Sequence, residues 1–261
     1  MALPGDLEAF QPHMERLRIE PVAAEGTLRQ ADERFTAIVE GDRRQFEMHD
    51  YRTMYRVPML YDTMLYGWLR CQTPRLLAQH FKRLQAAAPD AAPDADNEIR
   101  MLEVGAGSGA FASALHHELP AIRILGLDII EEARLAAQRD RPGAYEAYLV
   151  ADLCNMSEEA EARVTALAPN CVGVASATGW GNHIPVAGFE QAFAYLQPKG
   201  WFIFHVKPND PDPECVALVE WIEAKLRNGE IVDSESDKIF HRYGVTGEEI
   251  YYDYVIGRKA A

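Results

Sequence analysis

The chain runs to 261 residues, 48% hydrophobic and 25% charged, with 40 acidic against 26 basic residues and a formal net charge of -14. That balance belongs to a folded globular chain and excludes wholesale disorder, a collagen-like repeat and a small disulfide scaffold. The acidic excess repels phosphate backbones and anionic lipid, so neither nucleic acid nor a membrane surface is an expected partner.

The opening stretch MALPGDLEAFQPHMERL carries early acids and no apolar core, unlike a signal peptide. No apolar run approaches the ~18–20 residues of a membrane helix, so the expected location is the cytoplasm. Residues 1–97 read as a helical segment without strand alternation. Within it, RLLAQHFKRL (75–84) sets Leu76, Leu77, His80, Phe81 and Leu84 along one helical face. AAAPDAAPDADN (86–97) is a linker, because Pro89 and Pro93 stop a helix. Four cysteines at 71, 154, 171 and 215 lack CxxC spacing. They are expected to be reduced and mostly buried, and no metal-ligand cluster is visible.

From residue 98 the pattern alternates strand and helix. IRMLEV (99–104), IRILGLD (122–128), AYLVADL (147–153), CVGVASAT (171–178) and WFIFHV (201–206) read as strands. Helices fall between them, with Ser157 to Leu167 polar-faced and Ala187 to Gln197 carrying Phe189, Phe193 and Leu196. A last helix has Asp212 as N-cap, Pro213 at its first position and Gly229 at its end. KIFHRYG and IYYDYVIGRK, joined by VTGEE, read as a β-hairpin. Such alternation predicts right-handed crossovers and a parallel sheet covered on both faces.

The first strand ends in Glu103-Val-Gly105-Ala-Gly107-Ser-Gly109, a loop whose glycines let backbone approach a ligand at a helix N-terminus. Alone it also fits the dinucleotide pattern, with Gly105, Gly107 and Ala110. Three acids decide between ligands. Glu103, beside the loop, suits positive charge and would repel a pyrophosphate. Asp128, ending the second strand, can accept both hydroxyls of a ribose. Asp152, ending the third, can accept from the exocyclic amine of adenine. Together they describe a cationic adenosine ligand, S-adenosylmethionine. Tyr195 and Lys199 spell the YxxxK pair of short-chain dehydrogenases, but Pro198 and Gly200 break the helix that chemistry needs.

Residues 99–261 resemble a class I S-adenosylmethionine-dependent methyltransferase of the small-molecule type. MLEVGAGSGAFASAL is similar to the family's first motif, LGLD and VADL to its second- and third-strand acids, and LQPKGWFIFHV to its turn before strand five, with Lys199 replacing a glycine. The resemblance implies an α/β, Rossmann-like, seven-stranded, mostly parallel sheet with an antiparallel last strand, plus an N-terminal helical lid. It divides the chain into residues 1–97, lid and acceptor wall, and residues 98–261, the cofactor-binding domain. The implied cofactor site is Glu103, Gly105, Ala106, Gly107, Asp128, Ile129, Asp152, Leu153, Ser176 and Thr178. The candidate catalytic residues are His183 and Asn182, from the loop after strand four, and Tyr61, with no metal. Tyr61-Asp62 and Pro74 faintly resemble the family's N-terminal helix.

The acceptor must meet the loop Thr178-Gly-Trp-Gly-Asn-His-Ile-Pro185, since ligands of open α/β sheets lie beyond the carboxyl ends of the strands. That loop lacks the Asn/Asp-Pro-Pro-aromatic run of methyltransferases acting on DNA bases or glutamine amides, which favours a small-molecule acceptor, methylated at a nitrogen or sulfur. Trp180, Asn182 and His183 face it, with His183 either a general base or a structural histidine on a backbone carbonyl. Lys207 reaches a carboxylate or solvent. Tyr51, Tyr55, Tyr61, Tyr66 and Trp68 either box a cationic or thioether acceptor or pack the core. A homodimer, an NAD(P)-dependent oxidoreductase and a catalytically silent S-adenosylmethionine-binding partner protein remain open.

Overall fold

The computed structural model describes residues 3–23, 30–88, 98–174, 183–207 and 210–261. The N-terminal part holds α1 (Leu7–Leu17), β1 (Glu20–Pro21), β2 (Arg34–Val39), β3 (Asp42–Glu47), α2 (Tyr51–Arg56), α3 (Leu60–Asp62) running into a π-helical stretch (Thr63–Trp68), and α4 (Thr73–Ala87). The helical reading of this segment misses a three-stranded antiparallel sheet, β1-β2-β3. In β2, Phe35, Ala37 and Val39 are buried, but the alternate positions hold Thr36 and Ile38, which mask the two-residue period. In β3 only Phe46 is buried, so its sequence reads as a polar loop. The linker lies outside the described residues from 89 onward.

The remainder runs β4 (Ile99–Val104), α5 (Ala110–Glu118), β5 (Ile122–Asp128), α6 (Glu131–Asp140), β6 (Ala147–Val150), α7 (Glu158–Leu167), β7 (Cys171–Val174), α8 (Val186–Tyr195), β8 (Trp201–Val206), α9 (Pro213–Arg227), β9 (Ile231–Tyr243) and β10 (Glu249–Lys259). The seven strands order as β6-β5-β4-β7-β8-β10-β9. β4 pairs in parallel with β5 and β7, and β10 antiparallel with β8 and β9. This is the expected Rossmann-like sheet, with the last strand inserted antiparallel beside β8. The third strand stops at Val150 because Asp152 turns the chain: its carboxylate accepts from Cys154 N–H at 2.9 Å and its carbonyl from Asn155 N–H at 2.9 Å.

Side-chain alternation splits the core across the sheet. Met101, Ile124 and Ile203 meet Phe81 of α4 and Phe111 of α5 on one face. Leu102, Leu125 and Phe202 meet Val164 of α7, Phe189 and Phe193 of α8 and Leu218 of α9 on the other. Asp212 caps α9 as expected, and Ser157 caps α7, which begins one residue later than the sequence reading placed it. Cys71, Cys171 and Cys215 are buried thiols and Cys154 is exposed. Among the described residues no helix is long and apolar enough to cross a membrane.

The N-terminal part is bolted to the sheet by buried charge. Asp62 and Arg141, each with a side chain about 1% exposed, form an ion pair. Ser108 Oγ of the glycine loop donates to Asp62 Oδ1 at 2.6 Å, and the Arg141 guanidinium reaches Ser108 Oγ at 3.1 Å. A second buried pair joins Glu33 to Arg242 of β9 at 2.5 Å, and Glu33 also accepts from Val245 N–H at 3.0 Å.

Candidate active site

The glycine loop crosses from β4 to α5 over the carboxyl end of the sheet. Gly107 sits at φ +53°, a conformation side chains disfavour. A Cβ there would lie 2.8 Å from the Tyr55 hydroxyl, so the missing side chain leaves a cradle between loop and α2. Asp128, at the end of β5, accepts from Gly107 N–H and Ile130 N–H, both at 2.9 Å. Burial pushes its carboxyl up from the ordinary value, against the pull of those backbone donors. Tyr148 holds the loop from below by donating to Gly107 O at 2.9 Å.

One cleft gathers Gly105, Gly107, Asp128, Ile129, Asp152 and Leu153 with Tyr51, Tyr55, Tyr61 and His183. It encloses about 780 Å³, part of it open to solvent. Ile129 stands at its mouth, 58% exposed. Sequence-expected residues from five separate stretches therefore meet in one place. Glu103 and Ala106 do not line the cleft. Glu103 is fully buried beneath the loop, where Tyr145 donates to one carboxylate oxygen at 3.0 Å and burial raises its carboxyl to about 8. Ala106 is fully buried, with its N–H donated to Leu127 O at 3.0 Å. Ser176, Thr178, Trp180 and Asn182 lie outside the described residues. Among the described residues no group of three His, Cys, Asp or Glu side chains is placed to hold a metal ion.

His183 lies 2.8 Å, through Nε2, from the Tyr51 hydroxyl. Burial pushes the Tyr51 phenol well above its usual range, so it rests as a neutral phenol able both to donate and to accept a proton. Tyr61 packs against Tyr51, Tyr55 and Tyr66, with ring centroids 4.8–6.4 Å apart. Tyr51, Tyr61 and His183 form a partition, because they also line a second cavity with His49, His205, His241, Gln30, Arg242 and Tyr252. Sequence reasoning missed this second wall, and it missed Tyr51 as the partner of His183. The one local signal was a histidine, His205, inside the apolar strand WFIFHV.

Comparison with known proteins adds the family. A family model described as a methyltransferase domain matches residues 74–245. The release factor glutamine methyltransferase of Koribacter versatilis (strain Ellin345) is 28% identical over 155 residues, covering 51% of this chain and 55% of that protein. The chain thus matches about half the length of that curated relative. Among solved structures, a Pyrococcus horikoshii protein assigned as an RNA methyltransferase is 15% identical with a TM-score of 0.50, covering 74% of this chain and 90% of its own. Magnesium protoporphyrin IX methyltransferase from Synechocystis, solved with S-adenosylmethionine bound, is 12% identical with a TM-score of 0.47, covering 71% and 79%. At such identity the likeness to the Pyrococcus protein is one of fold.

Proposed function

The chain belongs to the methyltransferase domain family, and from that premise we propose that it transfers a methyl group from S-adenosylmethionine to a small-molecule acceptor, at a protic nitrogen or oxygen rather than a thioether sulfur. The observation that carries this reading is the cleft itself. A glycine loop, Asp128 and Asp152 converge at three successive strand ends, and the cleft shares Tyr51, Tyr61 and His183 with a second cavity behind them. The residues fit the cofactor. The cradle at Gly107 takes the aminoacyl part, Asp128 keeps lone pairs for ribose hydroxyls, and Asp152 with Leu153 and Ile129 receives the adenine. Glu103 acts from beneath, by holding Tyr145 under the loop.

S-adenosylmethionine supplies the electrophilic methyl group, and its sulfur takes the electron pair on transfer. The chain supplies alignment and a water-poor site. A nitrogen or oxygen acceptor must also lose a proton. Tyr51 and His183 form a relay for it: the Tyr51 oxygen receives the acceptor's proton as its own passes to His183 Nε2. A thioether has no proton to give, so this pair favours an N–H or O–H acceptor over sulfur. From the N-terminal part, Gln30, Tyr51 and Tyr61 contribute to the acceptor wall. The loop Thr178–Pro185 has no Asn/Asp-Pro-Pro-aromatic run, which argues against extending the glutamine specificity of the Koribacter protein to this chain.

Calorimetry tests the cofactor: S-adenosylmethionine and S-adenosylhomocysteine are expected to bind, with NAD far weaker. Tight NAD binding without response to either sulfur compound overturns the reading in favour of an oxidoreductase. Asp128→Ala is expected to weaken S-adenosylhomocysteine about 10–100-fold, because hydrogen bonds to a charged acceptor contribute roughly 1.5–3 kcal/mol. Asp128→Asn keeps an oxygen for the Gly107 N–H and should lose less. Gly107→Val is expected to be at least as damaging as Asp128→Ala, since a branched side chain at positive φ meets the Tyr55 hydroxyl. Normal binding by folded Asp128→Ala and Gly107→Val proteins puts the ligand elsewhere.

A further inference from the structure

The second cavity has a chemistry of its own. One wall is a stack of rings: His241 lies 4.1 Å and His205 5.5 Å from the Tyr252 ring, within 18° and 14° of parallel. The partition of Tyr51, Tyr61 and His183 supplies further aromatic lining. Two polar atoms in this lining are buried without a hydrogen-bond partner among the described residues, His205 Nδ1 and Gln30 Nε2. His205 is only 3% exposed, and Tyr252 orients Gln30 by donating to its Oε1 at 3.4 Å. Buried polar groups are almost always paired, so orphaned atoms around an empty volume mark places where a ligand supplies the partner.

Charge narrows the ligand further. Among the described residues no Asp or Glu lines this cavity. Its single guanidinium, Arg242, is already engaged by both oxygens of Glu33 and by Tyr243 O. Burial and the nearby positive charges of Arg242 and Lys207 push His49 down to about 4 and His241 well below the usual imidazole range, while burial alone takes His205 to about 3. The His49, His205 and His241 rings therefore remain neutral at physiological pH. A cation entering here would find no carboxylate among the described lining residues, and an anion would find the guanidinium of Arg242 already neutralised by Glu33. Both would lose their hydration without a paired counter-charge.

Resting on the methyltransferase reading, we propose that this cavity is the acceptor subsite for an uncharged, flat aromatic ring. The ring carries a transferable N–H or O–H at one edge and a polar group at the other. It lies against this aromatic lining, with its far edge meeting His205 and Gln30 and its protic edge toward Tyr51 and the cofactor cleft. On transfer the nitrogen or oxygen forms the bond to the methyl carbon and the carbon–sulfur bond breaks, its electron pair going to sulfur. The acceptor's proton leaves through Tyr51 to His183.

A matched set of probes tests this on the full chain saturated with S-adenosylhomocysteine: 4-hydroxybenzamide (neutral), 4-hydroxybenzylamine (cationic) and 4-hydroxybenzoate (anionic), each titrated by calorimetry. The amide is expected to bind at least about tenfold tighter than either charged probe. His205→Phe keeps the stacked ring but removes the orphaned nitrogen, and it should weaken the amide about 5–10-fold with S-adenosylhomocysteine affinity unchanged. Gln30→Leu should act in the same direction, giving a second variant should His205→Phe fail to fold. Tightest binding by the amine would make the cavity a cation box, and tightest binding by the benzoate would show Arg242 available to an anion; either overturns the proposal. No binding by any probe to a protein that binds S-adenosylhomocysteine also overturns it, leaving the cofactor assignment intact. Failure to bind S-adenosylhomocysteine at all is the separate failure of the underlying reading.

Discussion

His183→Ala is expected to lower kcat by about 10²–10⁴-fold, the range for removing a positioned general base, with S-adenosylhomocysteine affinity retained. The argument is geometric. His183 bounds both the cofactor cleft and the second cavity, and its Nε2 is 2.8 Å from the Tyr51 hydroxyl. Tyr51→Phe preserves the ring packing against Tyr55 and Tyr61 but breaks the relay, so its loss should fall mainly on kcat as well. The measurement is release of S-adenosylhomocysteine with an acceptor that the unaltered chain methylates. A rise in KM at constant kcat would indicate that His183 only binds the acceptor, as expected for a thioether. Unchanged kcat and KM would remove His183 from the reaction.

Asp62→Ala is expected to destabilise the fold by about 3–5 kcal/mol, the cost of stripping the partner from a buried charge. Arg141 cannot shed its proton and lies buried with Asp62 and Ser108 as its polar contacts. Burial raises the Asp62 carboxyl while Arg141 and Ser108 pull it back. The pair is therefore costly to make but costlier to break on one side. Urea denaturation should show a lower midpoint, and the double variant Asp62→Ala/Arg141→Met should recover part of the loss, since no buried charge remains. Because Ser108 belongs to the glycine loop, the single variant should also weaken S-adenosylhomocysteine binding. A loss below about 1 kcal/mol, the value of an exposed pair, would mean that water reaches Arg141.

The glycine loop, the strand-end acids and the alternating order of strands and helices were legible in the sequence because each is fixed by neighbours within a few residues. A run of apolar residues ending in Gly-x-Gly makes a strand and a turn wherever it occurs, and Asp128 closes its own strand. The buried role of Glu103 was not legible, since the same residue at a strand end serves a ligand or the loop depending on which side the sheet covers. Tyr145, 42 residues away, decides that.

The N-terminal sheet and the second cavity were set by tertiary structure. Phe35 and Val39 become strand residues because Leu17, Met54 and Met64 offer them a core, and nothing in RFTAIV or DRRQFE alone demands it. His205 sits on β8, His241 on β9 and Tyr252 on β10. They stack because β10 runs antiparallel between β8 and β9, while Gln30 arrives from the far end of the chain. The sequence by itself determined the fold family and the glycine loop and strand-end acids that line the cleft, through local turn chemistry and hydrophobic period. What lines the second cavity was decided by contacts between segments up to some two hundred residues apart, whose cost in chain entropy is met only by the packed whole.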